Sequence, residues 1–158
     1  MDAFKPILNC LEQSPTILKD LIDNIPRNMT KNQRIPGKWS IHEHACHLAD
    51  VQFMLIKRFE IFRDQQPPEF NPYLPGNTVS DHHLMQMELE YALEQFSKTR
   101  EQLIDLVKTL EPSVWEKTAS HPEYSEYTPM ILLRHILMHD HFHMYRIEQL
   151  WLTNDEYL

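Results

Sequence analysis

Proline sets the outline of this chain. Eleven prolines fall at positions 6, 15, 26, 36, 67, 68, 72, 75, 112, 122 and 129. Each fixes its own φ and removes a backbone donor, so prolines punctuate helices. Between them run long stretches whose apolar residues recur at helical spacing, without β-branched alternation. The first, about residues 3–24, places Leu8, Leu11, Leu18 and Leu21 on one face, with Ile25 just beyond. Pro15 is positioned to kink or split it. After Pro36 and Gly37, Ser40 and Glu43 form an S-x-x-E capping box, which predicts a second helix reaching about residue 64. Thr78 or Ser80 caps a third, about 81–110, and Thr128-Pro129 is an N-cap and N1 pair for a fourth, about 130–153. Residues 26–39, 65–77 and 112–127 read as loops.

Four long helices in 158 residues predict an all-α four-helix bundle, one domain over residues 1–158. The loops are long enough for a crossover, so simple up-down-up-down order is not required. Two glycines exclude glycine-rich phosphate loops, and with them Walker and Rossmann nucleotide sites. A formal net charge of −8 and scattered basic residues argue against nucleic acid and anionic membrane as partners. Two cysteines, Cys10 and Cys46, make neither a disulfide framework nor a cysteine-based zinc site. There is no signal-like N-terminus and no run of 18 apolar residues, so a cytoplasmic location is expected.

Histidine is the main clue to function. Ten are present, and seven fall in two groups: His42, His44 and His47, then His135, His139, His141 and His143. At about 100° per residue, His135 and His143 each lie about 40° from His139 on the fourth helix, along a stripe shared with Leu132, Ile136 and Leu150. His141 falls on the opposite side. On the second helix, Val51, Met54, Ile61 and Phe62 lie within about 60° of His47, as do Glu43 and His44, while His42 points outward. An i, i+4 pair such as His139 and His143 can share an ion, and His47 from a facing helix completes one face of it. Neutral imidazole suits zinc, nickel and similar ions, and three protein ligands leave a position open, as catalytic sites do.

The plainer readings stand beside this one. A lone H-x-x-x-H pair is weak evidence for metal, and His135 can equally be a core histidine bonded to a backbone carbonyl or a support for a ligand. His42, His82, His83, His121 and His141 read as surface residues and Cys46 as a packed thiol. His44 competes with His47 for the inward position, with His47 preferred. No H-E-x-x-H motif is present, since position 46 is cysteine, and no E-x-x-H pair exists for a di-iron site, so a mononuclear centre fits better.

The segment from Trp39 to Asp50, with Trp-Ser leading to His47-Leu48-Ala49-Asp50, resembles the second helix of the DinB-like (YfiT-like) superfamily. The segment from Leu133 to His143 resembles its last helix. The order and spacing of the two motifs agree. The resemblance implies a bundle of up-down-down-up topology and one divalent metal, zinc or nickel, on His47, His139 and His143. It also implies frequent homodimers. Some members transfer a low-molecular-weight thiol such as bacillithiol, mycothiol or glutathione, and others are described as metal-dependent hydrolases.

The functional expectation is therefore a metal-dependent enzyme acting on a small molecule, either a thiol S-transferase with that thiol as co-substrate or a hydrolase. A bound ion would lower the pKa of water or of a thiol toward neutrality. Glu43 is the nearest candidate base, although its plainer role is the capping box. Arg146, on the histidine face of the last helix, is a candidate for a carboxylate of a thiol cofactor or for pairing with an acidic neighbour. Asp50 and Asp140 are candidates for orienting imidazoles, with solvated charge as their plainer role. The rival reading is a non-catalytic metal-binding module for stress response or interaction.

Overall fold

The computed structural model describes residues 4–70 and 82–158, apart from the side chain of His82. Helix α1 (Lys5–Asp23) has Pro6 in its first turn, where the missing N–H costs nothing. It continues unbroken through Pro15. Pro15 cannot donate to the carbonyl of Leu11, one turn back. That carbonyl instead accepts a hydrogen bond from Arg100 Nη1 at 3.3 Å, so a neighbouring helix satisfies it. A single turn, α2 (Arg27–Thr30), follows in the loop.

The predicted second helix is present as α3 (Ile41–Asp50) and α4 (Gln52–Asp64). Val51 joins them in right-handed conformation, and the hydrogen bonds Val51 N–H to His47 and Leu55 N–H to Val51 carry the ladder across. The predicted third helix is divided more sharply. A short α5 (His82–Gln86) precedes α6 (Leu89–Thr109), because Glu88 is extended and its carboxylate caps the Tyr91 N–H at 2.7 Å, starting a new helix. The proposed caps Thr78 and Ser80 lie outside the described residues. One turn, α7 (Pro112–Trp115), leads to α8 (Pro129–Leu152), where Thr128 accepts from the Ile131 N–H and Pro129 opens the helix as expected. Among the described residues there is no strand, only isolated bridges pairing Glu69 with Ser120 and Ala119 with Tyr127.

Two apolar clusters fix the direction of each helix. One gathers Leu8 and Leu11 from the start of α1, Phe59 and Phe62 from the end of α4, Leu103 and Val107 from the end of α6, and Leu132 and Ile136 from the start of α8. The other joins Leu18 and Ile22, Ala45 and Leu48, Leu93 and Phe96, and Ile147 and Leu150. So α1 and α8 run one way while α3–α4 and α6 run the other, the up-down-down-up order. Contacts are made by α1 and by α3–α4 with both α6 and α8. Side chains such as Phe59, Phe62, Phe96 and Leu103 are fully buried, each contributing about 1.5–3 kcal/mol over an exposed position.

The loop before α3 is held at the far end of α8. Arg34 donates to the carbonyls of Leu150 and Thr153 and pairs with Asp155 at 2.5 Å, serving the last turn of that helix. Gly37 turns the chain at φ +72°, a conformation that favours glycine. This delivers Trp39 and Ser40 to the head of α3. No helix among the described residues is long and apolar enough to cross a membrane.

Candidate metal centre

Ser40 starts α3 with a complete capping box. Its hydroxyl accepts from the Glu43 N–H, and the Glu43 carboxylate accepts from the Ser40 N–H and hydroxyl, both at 2.8 Å. One turn later the helix presents His47 to the facing helix α8, which presents His139 and His143. Nε2 of His139 lies 3.2 Å from Nε2 of His47 and 3.1 Å from Nε2 of His143. One nitrogen from each of the three rings falls within 4.8 Å of the others. Ligands at 2.0–2.1 Å from a tetrahedral ion lie about 3.3 Å apart, so the spacing fits one small cation.

The proton count points the same way. Nδ1 of His139 is buried, with no hydrogen-bond partner among the described residues. If His47 and His143 both donate to Nε2 of His139, its Nδ1–H has no acceptor. If His139 donates from Nε2, only one neighbour accepts well. A cation among the three nitrogens relieves the crowding at Nε2, since each ring then offers a lone pair there. It leaves the Nδ1–H of His139 as the one group of the site with no acceptor among the described residues. Burial, reinforced by the neighbouring rings, pushes His47 down to about 3 and His143 to about 2. Burial also lowers His139, with Arg100 adding to the effect against Asp140. At neutral pH all three are uncharged, the form that binds metal. These three rings suggest a divalent metal.

His44 is buried beside this group and turned to a different atom. Its Nδ1 is 2.8 Å from Nδ1 of His143, the nitrogen not directed at His139. Burial and then Arg146 lower it to about 4. Trp39 covers the site, its ring centroid 4.7 Å from that of His47 and 5.9 Å from that of His143.

A cavity of about 290 Å³ opens beside His47 and His139. Val51, Met54, Leu132 and Ile136 give it apolar walls, and Arg58, His121, Tyr124, Tyr127 and His135 stand at its other end. His135 therefore lies in the cavity wall, 5.3 Å from Tyr124 between ring centroids, away from the three converging nitrogens.

The other sequence candidates lie in varied settings around the three rings. His42 is 1% exposed, because α5 packs over the face of α3 that the helical wheel left open, and its Nε2 meets the Leu84 carbonyl at 3.0 Å. His121 lines the cavity. Asp140 orients no imidazole through a hydrogen bond; it is fully buried and paired with Arg100 at 2.5 and 3.0 Å. Asp50 faces His83 at 3.3 Å. Glu43 is held below the usual carboxylate range: burial opposes this, but hydrogen bonds from Ser40 and Gln33 outweigh it. Arg146 donates to Gln149 and lies on the His44 side, with Trp39 and Phe142. Cys46 is buried and its thiol is pushed up to about 12 by that burial, so it stays protonated. Sequence reasoning missed Arg58 and Tyr127; only their convergence from separate segments reveals them.

The family profile of the DinB superfamily matches residues 11–147. The chain belongs to the DinB superfamily. Two relatives are 22% identical to this DinB chain and share the name "Putative metal-dependent hydrolase". That of Oceanobacillus iheyensis matches over 116 residues, 73% of this chain and 67% of its own length. That of Bacillus mycoides matches over 123 residues, 73% and 66%. Among solved structures, YfiT from Bacillus subtilis is described as "a probable metal-dependent hydrolase with an unusual four-helix bundle topology". It superposes with a TM-score of 0.79 at 20% identity, over 92% of this chain and 83% of its own. TT2238, "a four-helix bundle protein", gives 0.68 at 20% identity, over 92% and 98%. These likenesses carry the DinB bundle fold.

Proposed function

We propose that this chain is a mononuclear metal-dependent enzyme, a hydrolase of small molecules, with zinc or nickel held by His47, His139 and His143. The observation that carries the reading is the convergence of three uncharged imidazole nitrogens, from buried His143 and half-buried His47 and His139, at the wall of an apolar cavity. The names of the two relatives agree with it. When bound, the ion supplies Lewis-acid polarisation and brings the pKa of water or a thiol toward neutrality.

The chain's own residues then have distinct tasks. His47 reaches the site from α3, and His139 and His143 from α8. His143 donates its Nδ1–H to Nδ1 of His44, which fixes its tautomer and leaves Nε2 free for the ion. His44 is thereby engaged on the other side of His143, and His135 stands in the cavity wall, so neither closes the site as a fourth ligand. That favours an open catalytic site over a closed structural one. Trp39 excludes water from the loop side, and the cavity receives substrate next to His47 and His139. Glu43 serves the helix cap. Arg146, on the His44 side, is kept as a candidate contact for a carboxylate of a thiol co-substrate.

The same site would perform S-transfer if a low-molecular-weight thiol entered in place of water. Testing separates the two. Protein loaded with zinc or nickel is assayed on a panel of esters, amides and lactones, and with thiols plus an alkylating acceptor. Turnover that vanishes with chelator, returns with metal and is absent in His139→Ala supports the reading. Hydrolysis without thiol marks the hydrolase, and strict thiol dependence marks the transferase. A metal-loaded protein inert in every assay would favour a non-catalytic metal-binding module.

A further inference from the structure

The end of the cavity away from the three histidines is built around one cation. Arg58 is half-buried there and forms no ion pair among the described residues. Its Nη1 donates to the hydroxyl of Tyr127 at 3.3 Å, and its guanidinium lies 5.8 Å from the centroid of Phe70. Tyr127 is 1% exposed, so this hydrogen bond fixes the guanidinium from behind. A guanidinium has five donors, and among the described residues this one uses one of them, on a neutral partner. Arginine in such a setting is matched by a planar anion that accepts two parallel hydrogen bonds.

The surroundings decide which anion. Among the described residues Arg58 is the only Lys or Arg in the cavity wall, so it compensates a single negative charge. Glu123, exposed at the rim, opposes a second. A phosphate, carrying up to two charges, fits less well than a carboxylate. Tyr124, Tyr127, His121 and His135 form a continuous aromatic group, with neighbouring centroids 4.6–6.0 Å apart. Arg58 follows His47 by eleven residues, about 16 Å along the helical backbone. The volume, about 290 Å³, lies at the small end of the range for small-molecule sites, about 300–1,000 Å³.

We infer that the cavity binds a small monocarboxylate with an apolar or aromatic body, its carboxylate on Arg58 and its other end toward His47 and His139. This names the substrate class for the enzyme proposed above and rests on that reading for its catalytic meaning. The Arg58 contact itself requires no metal.

The test uses 4-phenylbutyrate and its neutral counterpart 4-phenylbutyramide, with binding followed by protein-observed NMR titration of the full chain. The titration is run on chelator-treated and on zinc-treated protein. In chelator-treated protein the carboxylate should bind at least tenfold more tightly than the amide. Arg58→Gln should bring the two within twofold, while Arg58→Lys retains part of the preference. Equal affinities in the unaltered protein, binding of neither ligand at millimolar concentration, or a preference that survives in folded Arg58→Gln would overturn the inference. If Arg58→Gln does not fold, the carboxylate-to-amide ratio in the unaltered protein decides. A protein that keeps the preference but takes up no zinc would sink the metal-enzyme reading alone.

Discussion

Two buried polar groups sit side by side on α8, at His139 and Asp140, and they are finished in opposite ways. Asp140 faces α6 and is fully buried, with both oxygens on the Arg100 guanidinium. Arg100 also serves the Gln52 side chain at 3.1 Å and the Leu11 carbonyl freed by Pro15. Every strand of that node ends on a partner, and it ties all four long helices together. One residue earlier, His139 faces α3 with two nitrogens crowding its Nε2 and, among the described residues, no hydrogen-bond partner at its Nδ1. Buried polar groups in native proteins are normally satisfied, and an exception calls for an explanation. The contrast separates two kinds of node: the closed one holds the bundle, and at the open one three converging imidazole nitrogens suggest a divalent metal.

Acid should separate the two most strongly. His44, His47 and His143 have folded values of about 4, 3 and 2, below the ordinary 6.5. The unfolded chain therefore takes up their protons first, and stability falls as pH drops from about 6.5 toward about 4. Each ring adds at most about 1.4 kcal/mol per pH unit. Urea unfolding of chelator-treated protein at a series of pH values should show this slope, and added zinc should raise stability across it. A flat profile between pH 6.5 and 4.5 would mean that the rings are not held uncharged.

The closed node gives the next largest effect. Asp140→Ala leaves Arg100 buried without its counter-ion and should cost about 3–5 kcal/mol by urea denaturation. A loss below about 1 kcal/mol would show that the pair contributes little to the fold. His44→Ala addresses the open node from its edge. It should weaken zinc binding about 10–100-fold without abolishing it, since it removes the partner of a ligand and not a ligand. Complete loss would make His44 itself a ligand.

Glu43→Ala gives the smallest change. It removes the carboxylate half of the capping box, keeps the Ser40 hydroxyl on the N–H of residue 43, and should cost about 1 kcal/mol of stability or less while metal stoichiometry is unchanged. A large fall in turnover with stability intact would give Glu43 a chemical role.

Much of the fold was legible because local signals mark it. The Ser40–Glu43 box and the Thr128-Pro129 start act within one turn of chain, and both helices begin where those residues place them. The break at Glu88 and the passage through Pro15 depend on side chains that choose between two compatible structures, and the second needs Arg100 from a distant helix. His42 shows the same limit. Its burial comes from α5, whose docking no helical wheel contains. The inward placement of His47, His139 and His143 follows from periodicity alone, and the bundle brings those rings within reach of each other. The cavity was invisible because Arg58, His121, Tyr127 and His135 come from separate segments and acquire meaning only together.

The central claim is that the open node holds an ion, and metal content tests it most directly. Untagged protein is purified, incubated with zinc or nickel, desalted and analysed for metal beside His47→Ala. The account predicts about one ion per chain in the unaltered protein and a loss of that ion in the variant, with helix content unchanged. No bound metal in the unaltered protein after either incubation, or full stoichiometry in His47→Ala, would contradict it.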